Sequence, residues 1–161
     1  MSVEASIDLR IVRYATGAIV SPIEIVKILA SCGWSFVNPE GYVYYLPVGD
    51  NDMFDWKDGK MDIPSLIKIL EEKELENELI GVGMRWQNTE IGGEILLWPE
   101  RKMAEKKIHT SMSFCLDGSR QVLSCEGYQK ITDVNWYLTK LLPIFNQGDT
   151  LVEYYTYEEH V

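Results

Sequence analysis

Most of the signatures that announce a chemistry are missing from this chain. Its two histidines, His109 and His160, have no second His or Cys three or four residues away, which removes the usual spacing of a zinc site. Cys32, Cys115 and Cys125 are odd in number and widely separated, so they write neither a disulfide framework nor a metal knuckle, and they suit a reducing, cytoplasmic setting. No run approaches the roughly 20 apolar residues of a transmembrane helix. Glu4 and Asp8 stand where a basic segment and an apolar run would open a signal peptide, so neither secretion nor membrane association is expected. Gly81-Val82-Gly83 and Gly92-Gly93 match neither phosphate-binding glycine pattern. Basic residues are scarce too: 15 Lys and Arg stand against 25 Asp and Glu, a net charge of −10. A surface of that sign repels phosphates and anionic lipids, which argues against direct nucleic-acid binding and in favour of a basic protein partner.

The acids are concentrated. Residues 50–78 hold ten acids against four lysines, and residues 141–161 hold four acids and no Lys or Arg; elsewhere eleven acids balance eleven bases. The basic cluster, Arg101, Lys102, Lys106 and Lys107, is interrupted by Glu105 and preceded by Glu100, too dilute for a nucleic-acid tract. Asp50–Gly59 invites comparison with a calcium loop. Counted from Asp50, however, position five is Phe54, position six is Asp55 and position twelve is Met61, where an EF-hand needs a donor, a glycine and a glutamate. No metal or cofactor is expected.

A length of 161 residues with 46% hydrophobic content supports one domain, residues 1–161, with a core of its own. Three strand-like runs, Leu79–Trp86, Glu94–Trp98 and Ile108–Leu116, form its expected centre. In the last of them Ile108, Thr110, Met112, Phe114 and Leu116 share one parity, while His109, Ser111, Ser113 and Cys115 take the other, which leaves His109 exposed or locally bonded. Ser6–Tyr14 reads as an opening strand with Ile7, Leu9 and Ile11 inward, followed by a Thr16-Gly17 turn. Ser21, Pro22 and Glu24 make a capping box and proline start for a first helix with a stripe of Ile25, Leu29 and Cys32, stopped at Gly33.

Trp34–Val37 and Tyr42–Val48, joined by Asn38-Pro39-Glu40-Gly41, predict a hairpin. Asp62 caps a second helix through Ile63, Leu66, Ile67 and Leu70, with Leu75 as the one clear apolar anchor of its polar end, Glu71–Glu78, which is therefore expected to be exposed or frayed. Gln121–Ser124 would be a return strand. Asp133 or Thr132 caps a third helix over Val134–Leu142, with Val134, Tyr137, Leu138 and Leu141 inward and Pro143 as its terminator. Thr150–Glu158 alternates without a wholly apolar face, as an edge strand or a strand with both faces partly covered does. The expected architecture is α+β: a mixed, mostly antiparallel sheet with about three helices packed mainly on one side.

No nucleophile and base stand at a close sequence spacing, although folding can bring Cys125 to either histidine. Cys115 and His109, six residues apart on one strand, would stand about 20 Å from each other. A hydrolase using carboxylates would need Glu94, Asp117, Glu126 or His109 joined in a pocket, and an apolar cavity would point instead to a ligand-binding or oligomeric structural module. The preferred expectation is recognition. Asp50, Asp52, Asp55 and Asp58 alternate with Met53, Phe54 and Trp56, and Glu153, Tyr155 and Glu158 repeat the mixture near the C-terminus with Tyr154, Tyr157 and Glu159. Acids steer a basic partner and desolvated aromatics hold it, while the alternative for Phe54 and Trp56, preferred for those two residues, is that they pin this ribbon to the core. The function expected is that of an inhibitor or immunity-type protein masking the basic surface of a toxin domain, a nuclease being the class whose cationic site this charge would cover.

Overall fold

Period-two burial decides the sheet. The computed structural model describes residues 5–14, 19–98, 109–123 and 130–160. In β1 (Ala5–Arg13), Ala5, Ile7, Leu9 and Ile11 are buried while the alternate residues face away, and β7 (Thr110–Leu116) repeats the pattern with Thr110, Met112, Phe114 and Leu116. The remaining strands are β2 (Trp34–Ser35), β3 (Val43–Tyr45), β4 (Lys57–Gly59), β5 (Ile80–Trp86), β6 (Gly92–Leu97) and β8 (Thr150–Glu159). They form one open sheet of order β4-β3-β5-β6-β7-β1-β8, with β2 also on β5. Every ladder is antiparallel, so the parallel component of the expected mixed sheet is absent among the described residues. The block β5-β6-β7 is central, as its alternation predicts, and β8 is an edge.

Helices α1 (Pro22–Ser31), α2 (Ile63–Leu75) and α3 (Val134–Phe145) begin where their caps place them. Ser21 Oγ accepts from Glu24 N at 3.1 Å, Asp62 from Ser65 N at 3.2 Å and Asp133 from Trp136 N at 3.2 Å. Ile25, Val26 and Leu29 of α1, Leu66 and Leu70 of α2, and Tyr137, Leu141 and Phe145 of α3 join one core with the inward residues of the sheet. The helices therefore cover one face. Trp34 is central to that core, with ring contacts to Trp86 and Phe114 at 5.2 Å and its indole N–H on the Lys140 carbonyl at 3.4 Å. No helix among the described residues is long and apolar enough to cross a membrane.

Several local expectations change. The predicted hairpin is not one: Trp34 and Ser35 pair with Trp86 and Arg85, and Tyr45 pairs with Val82, so β2 and β3 run in the same direction, one after the other along the same edge of β5. Burial of the Trp34 indole fixes β2 against β5, and Asn38 then closes a local excursion, its Oδ1 accepting from Glu40 N and Tyr42 N. Cys32 is exposed at the end of α1 instead of lying in its stripe. Gly33, at φ 101°, does stop that helix. Leu75 is 86% exposed, and the anchor of that end of α2 is Lys73. Val134 and Leu138 are only partly buried, and α3 continues through Pro143 to Phe145, because burying Phe145 keeps its last turn helical despite the missing N–H. In place of a return strand there is a single bridge, Val122 to Thr132. His109 is buried, not exposed. The Thr16-Gly17 turn, the Arg101–Lys107 basic cluster, Ile108, Ser124, Cys125 and Glu126 lie outside the described residues.

Candidate functional site

The excursion between β2 and β3 shapes the uncovered face of the sheet. Leaving the edge of β5 after Ser35 and returning at Tyr45, the chain raises Asn38 and Tyr42 as a lip beside Gly83, with Phe36 buried beneath it. The result is a cleft of about 320 Å³ lined also by Val43, Tyr44, Asp58, Arg85 and Glu94. Its floor is open because Gly81 and Gly83 occupy outward positions of β5. A Cβ on Gly83 would meet Tyr44 Cβ at 3.0 Å, and one on Gly81 would meet Leu46 and the Trp56 ring at 2.6 and 2.8 Å. Those glycines let an aromatic ledge lie close to the strand, with Trp56 stacked on Tyr44 at 4.8 Å and 9°.

Register places Glu94 directly opposite Gly83, and Cys115 opposite Glu94. Arg85 reaches past the bare Gly92 to Asp117, at 2.7 Å, and also donates to the Glu90 carbonyl at 3.0 Å. That cation is thus already committed. Burial, and then the charge of Asp117, push the Glu94 carboxyl above its ordinary value, against the opposing pull of Arg85. Burial, Glu94 and Asp58 raise the Tyr44 phenol. Burial, Glu94 and Asp8 push the Cys115 thiol up to about 11, which makes it a poor nucleophile. The uncovered face is electronegative around Glu94.

The acidic ribbon divides into structural and presented residues. Asp50 is buried, and its carboxylate accepts from Met53 N, Phe54 N and Asp55 N at 3.0, 3.0 and 2.7 Å. Its carboxylate thus shapes the loop. Burial raises its carboxyl, but the three N–H donors and the charge of Lys73 outweigh burial and hold it below its ordinary value. A group depressed in this way stabilises the fold above its ordinary value, and that stabilisation disappears as pH falls through the folded one. Wild-type protein should therefore lose stability more steeply than Asp50→Asn as the pH drops below about 4, measured as urea midpoints between pH 3 and 6; parallel curves would contradict the assignment.

Asp52, Phe54, Asp55 and Asp58 are exposed, with Asp55 bonded to Lys57 at 2.9 Å. Trp56 belongs to the ledge. Asp58 lines the cleft and so joins ribbon to sheet. Glu153, Tyr155 and Glu158 are not part of this site. They lie on β8, the opposite edge, six strand spacings or roughly 30 Å away. Glu153 is half-buried at an irregularity in the β1–β8 ladder, Tyr155 pairs with Leu9, and Glu158 pairs with Ser6 on the other face. The acidity of 50–78 is also partly used internally: Glu74 accepts from Ile23 N, and Glu78 from Gly49 N and Lys73.

No family model, curated protein or solved structure matches the chain. Its site is therefore defined by geometry: an acid–aromatic surface running from Asp52 through Asp58 to Glu94. Sequence reading misses Tyr44, Gly83 and Arg85 as members of it. Their signal is the Gly81, Gly83, Arg85 parity of β5, two missing side chains beside a charge, which gains meaning only once β3 and β4 are known to flank it. Among the described residues no three His, Cys, Asp or Glu side chains form a group able to hold a metal.

Proposed function

We propose that the chain is a protein-binding inhibitor of the immunity type, which masks a basic surface of a toxin domain with the β4 end of its uncovered sheet face. The observation that carries this reading is the continuity at Asp58, which merges the exposed ribbon acids with the Glu94 cleft and the Tyr44–Trp56 ledge. A second feature supports it. Phe54, 43% exposed, is held at φ 54°, a left-handed conformation unfavourable for a bulky residue, with its N–H fixed by Asp50. Carboxylates would occupy the places of phosphates on the toxin, while Phe54 excludes water at the contact. The free thiols Cys32 and Cys115 suit action in the cytoplasm.

A carboxylate hydrolase is the competing reading, and the raised Glu94 carboxyl is the observation in its favour. Asp117, the acid nearest to a partner role, is held by Arg85, and His109 stands at the far end of β7 from the Cys115–Glu94 pair.

Protection is the test. The coding sequence adjoining this one is expressed alone and together with this chain, and growth is followed. Growth arrest should be relieved by the wild type and less well by a D52N/D55N/D58N variant of unchanged melting temperature. An adjoining product without toxicity, or equal protection by the variant, would remove the proposal.

A further inference from the structure

We propose that the cleft over Gly83 receives one lysine or arginine side chain of the protein partner, seated along the Tyr44 ring with its cationic head at Glu94 and Asp58. This rests on the inhibitor reading and names the central pocket of that interface. At about 320 Å³ the cleft is at the small end of ligand sites, a volume for one long side chain and not for a nucleotide-sized cofactor. Its walls differ by chemistry. The Tyr42 and Tyr44 rings offer aromatic surface to an aliphatic stem, over a floor backed by the buried Phe36 and Val43, and the two carboxylates offer charge-assisted acceptors to its head.

Charge accounting favours an incoming cation. Arg85, on the floor beside Gly83, is neutralised by Asp117 at 2.7 Å. Lys60 stands at the rim over the Tyr42 ring, at 5.6 Å. No ion pair between described residues engages Glu94 or Asp58. Burial already disfavours a bare charge on Glu94, and the nearby Arg85 is bonded to Asp117 instead, so a guanidinium or ammonium placed there gains an acceptor not held in any ion pair between described residues.

The experiment is a titration of the ¹⁵N-labelled full chain with Nα-acetyl-arginine amide and Nα-acetyl-lysine amide, with Nα-acetyl-citrulline amide as the uncharged isostere. The cationic amides should shift the Gly83, Tyr44 and Glu94 amide resonances with Kd on the order of millimolar, the strength of a single side-chain contact. Citrulline should not. Glu94→Gln, or Asp58→Asn should the first variant fold poorly, should weaken the effect at least ten-fold. Absence of shifts at these residues, equal shifts with citrulline, or full retention in both variants would overturn the proposal. Micromolar binding of the free amide would overturn it as well, by making the cleft a receptor for free small cations. No partner is present in this titration, so its failure is separable from failure of the protection assay.

Discussion

Replacing Lys73 with alanine should destabilise the fold by about 3–5 kcal/mol, as breaking a buried ion pair from one side does. Lys73 has no exposed surface, and its three donors each meet an acceptor: the Pro47 carbonyl at 2.7 Å, the Asp50 carbonyl at 2.8 Å and the Glu78 carboxylate at 3.1 Å. Its removal leaves a buried carbonyl at Asp50, a part-buried one at Pro47 and a largely buried carboxylate at Glu78 without their cation. The melting temperature should fall by roughly 10 °C for a domain of this size. The damage should also be directional. Pro47 and Asp50 begin the loop that Asp50 then organises, so amide exchange at Met53, Phe54 and Asp55 should rise more than in the β1–β7 ladder. A loss below about 1 kcal/mol, in the range of an exposed pair, would show that Lys73 is not the tie described.

Phe54→Asn should leave the fold as stable as the wild type, or more stable by up to about 1 kcal/mol, while speeding dissociation of the partner roughly 30-fold. A bulky residue in the left-handed region costs about 1–2 kcal/mol, a penalty that asparagine largely avoids. An exposed ring at φ 54° makes little core contact to compensate. A hot-spot aromatic is worth 2 kcal/mol or more in binding, and truncation acts mainly on the dissociation rate. Denaturation midpoints and surface-binding kinetics on the same preparations measure both. Destabilisation by more than 1 kcal/mol with unchanged kinetics would mean that Phe54 pins the ribbon to the body. Trp56 does play that part, through its stack on Tyr44.

Local signals are the ones the sequence carries well. The alternation of β1 and β7, the Ser21 capping box, the Asp62 and Asp133 caps and the edge character of β8 all depend on residues a few positions apart, and each is realised. Pairing partners are non-local, and there the reading fails. Asn38-Pro39-Glu40-Gly41 has the chemistry of a turn, and it does close locally, yet it joins two strands laid end to end along β5. The cleft follows from that excursion and so escapes sequence inspection. Charge is illegible for a similar reason. Asp50 and Asp58 look alike in a run of alternating acids, but one is used by three backbone donors and the other faces solvent. Lys73, in a segment that reads as a solvated polar helix end, is buried because acceptors arrive from a loop more than twenty residues earlier.

Recognition by the Asp52–Asp58–Glu94 surface is tested most directly by the association rate between this chain and the product of the adjoining coding sequence, followed by stopped flow from low to physiological ionic strength. The wild-type rate should fall steeply with salt, and the D52N/D55N/D58N variant should be at least ten-fold slower at low salt with a flatter dependence. Equal rates and equal salt slopes for the two proteins would contradict the account.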